Sequence, residues 1–121
     1  MRTHFNLFAY GTLRDKGSSS SLLRDCVPIA PAQVGGVLYD IDGEYPALVM
    51  YGTTPVEGEI WSCPTELLAS LDAYEGVDDG LFRRVGVDID GTACWTYVAG
   101  PKLTRKLTPA RRITHWQPGK S

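Results

Sequence analysis

The hydrophobic pattern of the chain changes period several times, and each change marks an element. Phe5 to Tyr10 (FNLFAY) is apolar at nearly every position and stops at Gly11, which predicts a central strand covered on both faces. Val34 to Ile41 (VGGVLYDI) predicts a strand loosened by Gly35-Gly36. Asp42-Gly43 is then a two-residue hairpin signal leading into a strand over Tyr45 to Met50. Pro46 restricts that strand to an edge or to a strand start. Val56 to Ser62 (VEGEIWS) alternates, with Val56, Gly58, Ile60 and Ser62 on one face and Glu57, Glu59 and Trp61 on the other. A second hairpin joins Phe82 to Ile89 and Thr92 to Ala99 at Asp90-Gly91, so Phe82 shares a face with Arg84, and Trp95 with Tyr97.

Helical spacing governs fewer stretches. In GSSSSLLRDC the serines offer N-caps for a short helical turn, although 16–21 reads equally well as a mobile loop. From Pro64, PTELLASLDAYEG sets Leu67, Leu68, Leu71 and Tyr74 in one apolar stripe at roughly 100° per residue. Glu75 falls inside that stripe, about 40° from Leu71, while Asp72 lies beyond one edge and Glu66 well beyond the other. A carboxylate aimed at a core finds a partner, takes up a proton, or serves as a catalytic group whose pKa burial has raised. The alternative is that Glu75 lies past a frayed helix end and points to solvent. Beyond Gly100-Pro101 the periodicity fades, but ARRITHW holds enough apolar residues to fold back onto the domain. Many short strands, tight turns and one or two short helices predict an α+β fold whose mixed sheet is curved or barrel-like.

Composition narrows the class. A chain of 121 residues suffices for one domain with a core, here about 5–99 followed by a basic extension over 100–121. No run approaches the roughly 18 apolar residues of a membrane span, and the start, MRTHFNLFAYGTL, is too short and polar for a signal peptide. A cytoplasmic protein is expected. Cys26, Cys63 and Cys94 form no CxxC pair, which predicts reduced, buried thiols. His4 and His115 stand at opposite ends of the chain, so no metal is predicted. DAYEGVDDG lacks the spacing and closing glutamate of a calcium loop. All 14 acids and 6 of the 12 bases lie in residues 1–90, and the last 31 residues carry 6 bases and no acid. Such a tail suits a nucleic-acid arm or a segment folding across its own acidic domain, and six spread charges make a thin nucleic-acid footprint.

Three clusters carry possible chemistry. Tyr10-Gly11-Thr12-Leu13 sits where an apolar strand stops, and successive amides in such a glycine turn can form an anion-binding nest, or simply an ordinary turn. LDAYEG, Leu71 to Gly76, ends in the glycine that stops the helix. Phe82-Arg83-Arg84 opens a strand, and one arginine either turns inward, placed to pair with Glu75 or with a substrate carboxylate, or is a surface residue at the strand end. Trp95 and Tyr97 are candidates for a pocket wall, although aromatic strand residues more often belong to a core.

Together these marks resemble the gamma-glutamylcyclotransferase-like superfamily, small single-domain proteins with YG(S/T)L near the N-terminus, (L)D.YEG in the middle and Y/F.R just after it. Here they are Tyr10 to Leu13, Leu71 to Gly76, and Phe82 with Arg84, supported by GEYPALV at 43–49 and VEGEIW at 56–61. The resemblance spans about residues 5–99. It implies a barrel-like α+β fold, a cavity between the YGTL loop and Glu75, and Glu75 as catalytic acid/base. It also implies that the amides of Tyr10, Gly11, Thr12 and Leu13 hold the substrate's α-carboxylate, with Phe82, Arg84 and Tyr97 as further substrate-binding residues. The implied reaction is release of 5-oxoproline from a small-molecule γ-glutamyl amine or peptide without a cofactor. The same pocket equally suits a non-catalytic ligand-binding protein, and the basic tail suits an interaction domain. Substrate choice is expected in loop 14–21 and in the stretch after Gly100.

Overall fold

The computed structural model describes residues 3–10 and 20–113. Strand β1 (His4–Ala9) alternates between two apolar cores: Phe5, Leu7 and Ala9 enter one, Phe8 and the following Tyr10 the other. A strand buried on both faces must sit inside a sheet. It lies third of five strands in the order β2 (Val27–Gly35), β5 (Pro55–Pro64), β1, β7 (Thr92–Ala99), β6 (Phe82–Ile89). The sheet is mixed: β1 runs antiparallel to β5 and parallel to β7, which it meets at Leu7 and Trp95. It is curved and does not close into a barrel, since no ladder joins β2 to β6. A smaller antiparallel sheet of β4 (Tyr45–Val49), β3 (Val37–Ile41) and β8 (Arg112–Ile113) contributes Leu38 and Leu48 to the core around Phe8, and Ile41 and Ala47 to the core around Leu7.

Both hairpins form as their sequences predict. Asp42 and Gly43 have φ of 57° and 72°, Asp90 and Gly91 of 52° and 87°, the pair of positive angles that a two-residue turn between twisted strands requires. In each, the aspartate at the end of the first strand supports the turn: Gly43 N–H donates to Asp40 Oδ1 at 2.9 Å, and Gly91 N–H to Asp88 Oδ1 at 2.8 Å. Pro46 stands at the second position of β4, an edge strand.

One expectation needs correction. The predicted strand from Val34 to Ile41 is two strands. The chain breaks at Gly36, where a side chain would meet the Val49 carbonyl oxygen at 2.8 Å. Most of β2 (VPIAPAQVG) was hidden by Pro28 and Pro31, which remove backbone donors. An edge strand tolerates both because its outer side pairs with nothing, and the register shifts between Pro28 and Ala30.

The helical segment after β5 opens with a 3₁₀ turn (Thr65–Leu67) and continues as α1 (Leu68–Tyr74). A second short helix, α2 (Pro101–Thr104), buries Leu103 beside Leu71 in the same core. A 3₁₀ turn covers Ser20–Leu23, and the serines preceding it lie outside the described residues. Cys26, Cys63 and Cys94 are free and buried. The tail returns to the domain through β8, which pairs with Leu38 and Tyr39, and Arg111 reaches Asp42 at 3.0 Å. Such an exposed ion pair adds little stability, but it sets a tail base against the acidic hairpin.

Gly58 fixes how closely β5 approaches the end of β1. A methyl group there would lie 2.4 Å from the Ala9 carbonyl oxygen and 2.7 Å from Phe8 Cζ, whereas at Gly86 in β6 its nearest neighbour is Trp95 at 3.9 Å. Gly58→Ala is expected to lower unfolding free energy by about 2–3 kcal/mol through overpacking, and Gly86→Ala by less than about 0.5 kcal/mol. Denaturant midpoints at constant m-value check the contrast.

Candidate active site

Helix α1 ends at Glu75, still in helical conformation (φ −81°, ψ −1°), its N–H donating to the Leu71 carbonyl at 2.9 Å. Gly76 then adopts φ +66°, and its carbonyl accepts from Leu81 N–H at 3.1 Å. A left-handed residue at this point stops the helix and folds the chain back, so the Glu75 side chain stays over the core. Glu75 is 8% exposed and Leu71 fully buried. Tyr74, placed in the apolar stripe by its spacing, is instead 48% exposed.

Glu75 opens into a cavity of about 270 Å³. The end of β1 supplies Phe8, Ala9 and Tyr10; the β3–β4 hairpin supplies Glu44, Tyr45 and Pro46. Tyr74, Leu81, Phe82 and Tyr97 complete the wall. Tyr45 and Phe82 pack at 5.9 Å between ring centres. Among the described residues no cation pairs with Glu75, and burial alone pushes its pKa up to about 7. Burial holds the Tyr10 and Tyr97 phenols above their usual range; the Glu75 charge adds to this at Tyr10, and at Tyr97 the Asp72 hydrogen bond and charge add more than Glu75 does.

Two tyrosines have their hydroxyl protons committed. Tyr10 Oη donates to the Tyr97 carbonyl and accepts from Leu48 N–H at 3.1 Å, so one buried hydroxyl ties β1 to β7 and β4. Tyr97 Oη donates to Asp72 Oδ1 at 2.7 Å. Arg84 Nε donates to the same oxygen at 2.9 Å, with the guanidinium 4.3 Å from the centre of the Trp95 ring. The structure therefore brings Glu75, Tyr10, Phe82 and Tyr97 to one cavity. Arg84 shares its strand face with Phe82 but spends its charge on Asp72 and not on Glu75. Gly11, Thr12 and Leu13 lie outside the described residues.

Sequence reasoning missed Asp72, and the Glu44-Tyr45-Pro46 wall. Asp72 stood within LDAYEG three residues before Glu75, and the wall within GEYPALV just past the Asp42-Gly43 turn. Both signals were present, but neither assigns a role without the contacts across the strands. Among the described residues no group of three or more His, Cys, Asp or Glu side chains is placed to hold a metal, and no helix is long and apolar enough to cross a membrane. The chemistry the site offers is proton exchange by a carboxyl group balanced near neutrality in an apolar enclosure.

That balance has a thermodynamic sign. A carboxyl whose folded pKa is raised from 4.5 to about 7 keeps a proton that the unfolded chain releases across that window. Stability therefore falls as pH climbs from about 4.5 through 7, by roughly 3 kcal/mol in total. Glu75→Gln removes the charge, so it is expected to melt several degrees above wild type at pH 8.5 and to match it at pH 5. Thermal scans at the two pH values check this.

The fold is shared with solved structures. The uropathogenic Escherichia coli protein c4763 superposes with a TM-score of 0.77 at 22% identity, over 93% of this chain and 90% of its own. An AIG2-like protein of Mus musculus gives 0.77 at 16%, over 96% and 90%. A protein named gamma-glutamyl cyclotransferase gives 0.60 at 20%, over 79% and 66%. At these identities the likeness is one of fold. No curated protein sequence matches the chain. The family model described as gamma-glutamyl cyclotransferase, AIG2-like, matches residues 7–117, and the chain belongs to that family.

Proposed function

We propose that this protein releases 5-oxoproline from a γ-glutamyl amine or γ-glutamyl peptide, with Glu75 as the acid/base. The observation that carries this reading is a buried glutamate, free of a cationic partner among the described residues, with a pKa near 7 at the wall of a small cavity. At its ordinary value a glutamate is a weak base toward an ammonium and holds almost no proton to return at neutral pH. Near 7 both forms are populated, so one group takes a proton early in the reaction and gives it back later.

The substrate enters with its α-amine protonated. Glu75 removes one proton, and the freed nitrogen attacks the γ-carbonyl carbon of the same molecule, forming the C–N bond of a five-membered lactam. The protonated Glu75 then delivers the proton to the original amide nitrogen, whose C–N bond breaks. The attacking nitrogen sheds its second proton to the departing amine, so the products are 5-oxoproline and an ammonium, and Glu75 is again a carboxylate. Ring closure is unimolecular, so holding the chain folded back on itself supplies much of the advantage. In this reading Tyr10 and the amides of Gly11, Thr12 and Leu13 hold the α-carboxylate, and Phe82 and Tyr97 wall the γ-glutamyl chain. Tyr10 acts there through its backbone and ring, because its hydroxyl already bonds the Tyr97 carbonyl and Leu48. Arg84 supports the site through Asp72. Three free thiols suit a reducing compartment, and we place the reaction in the cytoplasm.

A mixed panel of γ-glutamyl amines and dipeptides, assayed for 5-oxoproline, tests the proposal. Wild type is expected to release it from at least one member, with kcat/KM rising with pH to a plateau above about 7 as Glu75 loses its proton. Glu75→Gln is expected to fold, to bind the same compound and to lose about 10³-fold in rate. Release undiminished in that variant would remove Glu75 from its role. No release by folded wild type from any member would overturn the cyclotransferase reading.

A further inference from the structure

We infer that Asp72 is a positioning residue for substrate recognition: it fixes Tyr97 in the cavity wall and, by accepting the phenol proton, leaves the Tyr97 oxygen only lone pairs to offer a substrate N–H. This rests on the γ-glutamyl reading above, and concerns a residue outside the cavity lining.

Four observations meet at Asp72. Its Oδ1 accepts from Tyr97 Oη at 2.7 Å and from Arg84 Nε at 2.9 Å, two donors on one oxygen. A phenol donating to a carboxylate is held in one orientation, and the ionised acceptor makes this among the stronger hydrogen bonds. The second donor is itself held, because the Arg84 guanidinium lies over Trp95 at 4.3 Å and the Arg84 backbone stands opposite Tyr97 in the β6–β7 ladder. Tyr97 belongs to the same cavity as Glu75. Finally, Asp72 lies three residues before Glu75, so one short helix delivers the acid/base and the group that orders the wall beside it.

The chemistry selects what Tyr97 can recognise. With its proton committed, the phenol is an acceptor. The γ-glutamyl class presents a matching donor in its α-ammonium, which keeps N–H bonds after giving one proton to Glu75. Loss of Asp72 frees the phenol to rotate and to donate elsewhere, and strands Arg84. The expected signature is weaker substrate binding with chemistry largely retained.

The test is a double-mutant cycle on the best panel substrate, with melting midpoints measured in parallel. Asp72→Ala and Tyr97→Phe are each expected to raise KM about tenfold while kcat changes less than about threefold, the worth of one hydrogen bond to an ionised group. Asp72→Asn, which keeps an acceptor oxygen, is expected to recover most of that loss. In the Tyr97→Phe background, Asp72→Ala is expected to add less than about twofold, since it acts through the missing hydroxyl. A role in stability alone would instead multiply the two losses or leave KM unmoved, and either result overturns the inference. If Asp72→Ala fails to fold, Tyr97→Phe alone carries the kinetic test, and an unmoved KM there overturns the inference.

A second readout stands apart from turnover. The Tyr97 hydroxyl proton, identified by NMR through its loss in Tyr97→Phe, is expected to shift upfield in Asp72→Asn. An unmoved resonance would overturn the inference even in an active enzyme. A protein that releases no 5-oxoproline yet shows the shift would retain the Asp72–Tyr97 pair, remove its role in γ-glutamyl recognition, and overturn the cyclotransferase reading independently.

Discussion

A carboxyl group held out of water without a counter-charge is the constraint on which the site depends. Burying an ion is costly, and a protein normally answers with a cation or with several donors. Here neither is found among the described residues, and the proton itself is the answer: Glu75 spends part of its time neutral. That is affordable only where the surroundings cannot collapse or flood. The left-handed Gly76 holds the carboxyl over the core, and Leu81 folds in beside it. Beneath it Leu71 and Leu103 pack with Leu7 against the five-stranded sheet. The fold thus supplies rigidity around a group that weakens it at high pH, a trade that fits the catalytic role proposed for Glu75.

Keeping Glu75 free of a cation, as it is among the described residues, requires that Arg84 be occupied elsewhere. Arg84 opens the strand that follows the helix and shares a face with Phe82, which lines the cavity. Had its guanidinium reached Glu75, the paired carboxylate would have lost its proton well below neutrality. Asp72, three residues earlier on the helix, intercepts it instead. The two carboxyl groups of α1 and its cap therefore sit in different settings: Asp72 is partly exposed and bound to two donors, and Glu75 is buried and, among the described residues, free of a cation. Two acids of similar intrinsic strength acquire different duties from environment alone.

How much of this is legible in the sequence follows from the range of each interaction. Local rules reach far: Asp-Gly fixed both hairpins because the turn needs two positive φ angles, and unbroken apolar residues in FNLFAY marked a strand buried on both faces. The phase of a single helix was enough to point Glu75 inward. What the sequence concealed was set by neighbours distant along the chain. VPIAPAQVG reads as loop until its edge position makes the prolines harmless. Arg84 could be assigned to a face but not to a partner, since Asp72 and Glu75 both lie within reach of that face. The role of Tyr10 depends on a hydroxyl meeting Tyr97 and Leu48, 87 and 38 positions away, and no local pattern encodes such a meeting.

Cavity size adds a last constraint on the proposed reaction. Sites for drug-sized ligands enclose about 300–1,000 Å³, and this one, near 270 Å³, lies just below that range. A γ-glutamyl group folded for ring closure is compact, and its reacting atoms belong entirely to the glutamyl half. The leaving amine takes no part in forming the new ring and needs only one nitrogen at the carboxyl of Glu75. Exposed Glu44 and half-exposed Tyr74 stand at the rim, where such an amine would extend toward solvent. In the proposed reaction, selectivity for the glutamyl half would arise from the enclosed wall, and tolerance or preference for the amine from the rim, so the two would be separable on one small scaffold.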